Sequence, residues 1–164
     1  MLAVSAAWAQ EEENTPAANS VGASADTLGT ALLFEFNKDY DVVFKAVKEA
    51  LASVGYEVSY SSKKRNLIET GYRLIADEDD FFDVMSEYGE VPYIRSPGWR
   101  NGRTKISVNF EDLGENRIAV KVLAILSGFE GRFTNQWHYW KSNGKLEEEA
   151  MNAIVTTVEA AKEL

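Results

Sequence analysis

The sequence has no cysteine and a single histidine, His138, in 164 residues. Without cysteine it holds no disulfide framework, no thiolate metal site and no thiol for lipid attachment. One histidine alone makes neither a metal site nor a general base, and no serine stands in a nucleophile-elbow context. No run approaches the ~20 apolar residues of a helical membrane span. Positive charge is also scarce. Seventeen Lys and Arg face 26 Asp and Glu, a net charge of −9, which argues against duplex nucleic acid, because that binding needs Lys and Arg to neutralise phosphates. These absences predict a protein that is not an enzyme and uses no cofactor and no metal.

What is present describes a folded chain. A hydrophobic content of 45% with 12% aromatic residues excludes disorder and supplies one domain with a real core. The first ten residues read as the end of a secretory signal peptide, with Ala7-Trp8-Ala9 as an A-x-A cleavage site. Few residues precede that cut and none is charged, so residues 1–9 are read as a residual signal and the mature protein as periplasmic or secreted. Residues 10–30, rich in Ala, Ser, Gly and acid, are expected to be a disordered tether. The folded domain is then 31–164.

Hydrophobic periodicity gives the elements. Residues 32–36 suit a strand, and Asp39 or Asp41 caps a helix with Val43, Val47, Leu51 and Val54 on one stripe and Gly55 at its end. Residues 56–60 and 67–72 form a hairpin around a basic turn. Residues 104–110 alternate cleanly, with Ile106, Val108 and Phe110 inward, and 117–126 return with Ile118, Val120 and Val122 inward. Residues 145–164 contain no Gly or Pro and carry Leu146, Ala150, Ile154, Val158 and Ala161 along a terminal helix, with Glu147 to Glu149 in the turn where carboxylates favour the helix dipole. The expected class is α+β: an antiparallel sheet of about five strands with two helices on one face, in the order β-α-β-β-insertion-β-β-α.

The wording of residues 40–72, Asp-Val-Val-Phe-Lys-Ala-Val-Lys-Glu-Ala-Leu followed by Val-Gly-Tyr-Glu-Val and Asn-Leu-Ile-Glu-Thr, resembles the domains of BamC/NlpB-type envelope lipoproteins. Those also pair a helix ending in Gly-Tyr with a strand hairpin and close on a long helix. The resemblance implies a cell-envelope accessory domain that works on a protein partner. This sequence departs from it in lacking the lipid-bearing cysteine and in carrying residues 73–103 between its hairpins.

Three stretches carry candidate chemistry. Asp77, Glu78, Asp79, Asp80, Asp83, Glu87 and Glu90 make one acidic arm of the insertion. A cation site there competes with a short helix begun by Asp79 or Asp80, with Phe81, Val84 and Tyr88 buried and Gly89 ending it. The following arm is basic, with Arg95, Arg100, Arg103 and Lys105 around Ser96-Pro97-Gly98-Trp99. Trp and Arg are frequent interaction hot spots, so the two arms are expected to fold together and present Trp99, exposed, at the tip. The third stretch, residues 133–140, gathers Phe133, Trp137, His138, Tyr139 and Trp140, either as a ligand pocket or as core ahead of the helix. The binding candidates are therefore Trp99, Arg95, Arg100, Arg103, Trp137, His138 and Tyr139. An exported envelope protein acting on a protein partner is the main functional expectation. The alternative is a periplasmic carrier holding a small hydrophobic molecule between the sheet and the C-terminal helix.

Overall fold

The computed structural model describes residues 25–75 and 80–162. The proposed signal, most of the tether and Asp77 to Asp79 lie outside the described residues. The elements in chain order are α1 (Ala25–Leu28), β1 (Leu32–Phe36), α2 (Tyr40–Ser53), β2 (Val58–Ser62), β3 (Leu67–Thr70), β4 (Arg73–Ile75), α3 (Phe81–Tyr88), β5 (Gly89–Glu90), β6 (Trp99–Gly114), β7 (Arg117–Glu130), β8 (Gln136–Ser142) and α4 (Lys145–Ala160).

The class is α+β, built on a large antiparallel sheet. Its strand count among the described residues is eight rather than about five, with three helices of eight or more residues and one four-residue helical turn, α1. The order across the sheet is β2-β3-β6-β7-β8-β5, with β4 also on β6 and β1 also on β7. The long β6–β7 hairpin is therefore the spine. One side of β6 is shared by β3 and β4, and one side of β7 is shared by β1 and β8.

The period-2 pattern of the spine decides what lies where. Ile106, Val108, Val120, Val122, Ala124 and Leu126 are fully buried on one face. Val43, Val47 and Leu51 of α2 and Ile154 and Val158 of α4 share their core. α3 lies on that same side, because Met85 and Phe81 press on Gly102 of β6. The opposite face of the sheet is turned away from α2, α3 and α4.

Local chemistry explains the boundaries. Asp39 caps α2 by accepting from the Asp41 N–H at 2.9 Å, and Gly55, at φ +84°, takes the left-handed conformation that ends the helix. The fold begins before Ala31, inside the stretch expected to be tether. Gly29, at φ +107°, sits so close to the Ser142 carbonyl that a Cβ there would lie 2.8 Å from it. That seat ties the start of β1 to the end of β8.

The insertion is integrated into the sheet. It supplies β4, α3, β5 and the start of β6, and β5 pairs with β8. Asp80 does precede a helix ended at Gly89, but the buried stripe is Phe81 and Met85. Val84 is exposed and Tyr88 only half-buried.

Candidate functional site

Among the described residues two carboxylates are fully buried on the helix-covered side, and each is held in a closed structural network. Glu130 accepts from the N–H groups of Gly98 (3.0 Å), Arg132 (2.8 Å), Phe133 (3.0 Å) and Thr134 (2.7 Å), and from the Thr134 hydroxyl (2.9 Å). Burial raises the pKa of a carboxyl group, but the backbone donors outweigh it and hold Glu130 well below the usual carboxylate range. An acid so weakly basic does not shuttle protons near neutral pH. Because Thr134 gives its only hydroxyl proton to Glu130, its oxygen accepts from His138 Nε2 at 2.7 Å. The chain Glu130–Thr134–His138 thus orders the β7–β8 turn.

Glu147 accepts from the Ala124 N–H at 3.1 Å and from the Ser142 hydroxyl at 2.6 Å. Pairing of β1 with β7 stops at Val122 and pairing of β8 with β7 begins at Leu126. The Glu147 side chain fills that break in the ladder. A surface cleft of about 480 Å³ lies over it, lined by Thr30, Ala31, Leu32 and the first turn of α4.

The sequence candidates divide between the two faces. Trp99 is not an exposed tip. It sits opposite Glu130 on the helix side, with ring centroids 5.4 Å from Trp140 and 5.9 Å from His138, and its Nε1 is buried without a partner among the described residues. The reason is register. Trp99 begins β6 itself instead of belonging to a free loop, and its ring fills the space over Gly128. His138 is half-buried on the same side, while Arg95 and Arg100 are exposed, the latter lying along Gly131. These residues do not form one site with Arg103.

Arg103, Trp137 and Tyr139 meet on the opposite face. In successive cross-strand rows, Asn101, Phe129 and Trp137 stand together, then Arg103, Ser127 and Tyr139, then Lys105 and Ile125. The Arg103 guanidinium carbon lies 3.8 Å from the centroid of Tyr72 and 4.0 Å from that of Trp137, and its Nε donates to the Ser127 hydroxyl at 2.9 Å. Trp137 packs on Phe129 at 5.4 Å, and Lys105 Nζ sits 5.3 Å from the Tyr72 ring. Burial lowers the pKa of Arg103, and the neighbouring Tyr72 and Tyr139 act in the opposite sense.

Sequence reasoning missed Tyr72, Lys105, Ser127 and Phe129 as members of this cluster. The available signal was the alternation of residues 125–129 and 101–105, once paired in register. Among the described residues no group of three or more His, Asp or Glu stands ready to hold a metal, and no helix is long and apolar enough to cross a membrane.

No family model matches the chain, and no curated protein matches it either. Solved structures give distant similarity only. The adenylate sensor of AMP-activated protein kinase, crystallised with ZMP, is 11% identical, covering 78% of this chain and 95% of its own at a TM-score of 0.41. A TBP-like protein from Parabacteroides distasonis is 11% identical over 80% and 94% at 0.34. A DUF4468 family protein from Bacteroides ovatus is 10% identical over 80% and 86% at 0.36.

Proposed function

We infer that this chain is an exported, non-enzymatic domain of the cell envelope, acting as a protein-interaction or assembly accessory through the sheet face turned away from its helices. The observation that carries the reading is the aromatic and cationic cluster of Tyr72, Arg103, Phe129, Trp137 and Tyr139 on that face. Tyr72 is 40% and Leu74 65% exposed beside it. Aromatic rings and arginine supply most of the energy at protein interfaces, and an apolar cluster left on a domain surface marks an interaction site more often than it marks chance. The envelope assignment is supported by the A-x-A segment at Ala7-Trp8-Ala9 and by the resemblance to BamC/NlpB-type domains.

Site-specific photo-cross-linking in intact cells tests both parts. A cross-linker at Leu74 should give a discrete adduct in the envelope fraction that Trp137→Ala abolishes. A cross-linker at Phe133, exposed in the β7–β8 turn, should not give that adduct. Equal adducts from both positions, or a chain retained with cytoplasmic markers, would overturn the reading.

A further inference from the structure

The side chain of Arg103 is unusual for this chain in the way its charge is held. Three exposed lysines pair with carboxylates: Lys63 with Asp41 at 2.7 Å, Lys145 with Glu87 at 3.2 Å and Lys45 with Glu49 at 3.9 Å. Arg103 has instead an aromatic ring on each side and a hydroxyl at Nε. Its four terminal N–H donors pair with no carboxylate among the described residues. Acids outnumber bases in the sequence by 26 to 17, yet the three cross-strand rows around Arg103 contain no acid and add a second cation, Lys105. The rings fix the guanidinium plane, so the rotamer freedom an arginine normally loses on binding is already spent. A fixed, half-buried fork with no carboxylate partner among the described residues is the geometry that receives a carboxylate bidentately.

We propose that this face recognises a carboxylate on an acidic peptide segment of the partner, which Arg103 receives as a fork while Trp137, Phe129 and Tyr72 take the apolar neighbours of that carboxylate. The proposal rests on the interaction reading above and names its chemistry. Charge selects the occupant. Anionic membranes are held by clusters of roughly four to eight basic residues and nucleic acids by a comparable run of phosphate contacts. The rows around the Arg103 fork offer two cations, Arg103 and Lys105, on a chain of net charge −9. One or two carboxylates flanked by apolar side chains match them.

The full chain is titrated with a blocked pentapeptide, Gly-Phe-Glu-Phe-Gly, and with its Glu→Gln counterpart. The readouts are the Trp137 indole and Arg103 Nε–H resonances. The glutamate peptide should shift both saturably and weaken as salt rises, and the glutamine peptide should bind about tenfold more weakly, the loss expected for one charge-assisted hydrogen-bond pair. Arg103→Lys should lose a similar factor while keeping the charge, because lysine has no fork. Comparing the two peptides on the unmodified protein keeps the test free of folding effects. Equal binding of the two peptides, full binding by Arg103→Lys, or no saturable shift in the millimolar range overturns the proposal. So does tighter binding of phosphatidylglycerol vesicles than of the glutamate peptide. If cross-linking from position 74 needs Trp137 but ignores Arg103→Gln, the carboxylate reading fails while the interaction face stands. If position 74 gives no adduct, the face itself is not an interface.

Discussion

The strands β6 and β7 build two surfaces from alternate residues, and those surfaces treat charge in opposite ways. Towards the helices, Ile106, Val108, Val120 and Leu126 exclude water completely. Glu130 and Glu147 are tolerated there because main-chain and hydroxyl donors meet their oxygens. On the other side, Arg103 is held by ring faces, and no carboxylate among the described residues pairs with it. Buried charge on one face is consumed by the fold. Half-buried charge on the other is stored for use. Trp137 and Trp140, three residues apart, make the contrast within a single strand, one half-buried in the open cluster, the other 0% exposed beneath α3 and the helix layer.

The largest expected effect separates those two tryptophans. Trp140→Ala should cost about 3–5 kcal/mol in chemical denaturation, the usual range for emptying a core aromatic site. A loss under about 1 kcal/mol would place Trp140 outside the core and erase the contrast. Trp99→Ala should destabilise in the same sense, since its indole lies against Trp140.

Next comes Glu147. Changing it to alanine leaves the Ala124 N–H and the Ser142 hydroxyl without an acceptor, at a cost of about 1–3 kcal/mol. Amide hydrogen exchange should report faster opening at Ala124 than at Val120, which keeps its strand partners.

Glu130 sharpens the comparison through pH. Its folded pKa is depressed below the ordinary 4.5, so the stability it contributes is present above that value and is lost as pH falls towards the folded one. Tm should therefore decline on acidification below about pH 4.5. Glu130→Gln should melt lower than the unmodified chain at neutral pH and converge on it in acid. Parallel Tm–pH curves for the two proteins would show that the network does not depend on ionised Glu130.

The smallest effect on stability belongs to the open face. Trp137→Ala should cost only about 1 kcal/mol, the scale of a partly exposed aromatic contact, and Tyr139→Ala less, while cross-linking from position 74 disappears. Melting curves and adduct yield on the same preparations decide it. A collapse of stability with Trp137→Ala would make that face part of the core.

Much of this was legible in the sequence, and the gaps have physical reasons. The alternation of Ile106, Val108 and Phe110 against Val120 and Val122 identified the spine, and Asp39 with Gly55 bracketed α2. β8 escaped because Trp137, His138, Tyr139 and Trp140 place aromatics on both faces, which hides a period of two. β4 and β5 are three and two residues long, too short to show any period, and are stabilised by partners distant in the chain. For the site, Arg103, Trp137 and Tyr139 were found by residue type. Joining them to Tyr72 and Phe129, and separating them from Trp99 and His138, required the strand register, a tertiary quantity.

The break that Glu147 fills also bears on the order of assembly. Every strand precedes α4 in the chain, so the Ala124 amide of β7 has no acceptor until the last helix docks. Up to that moment the molecule presents an incompletely paired strand, the kind of edge on which chains associate during folding. Contacts absent from the folding transition state weigh on the escape rate from the native state more than on the rate of reaching it. Glu147→Ala should accordingly speed unfolding while leaving the refolding limb of the chevron almost unmoved.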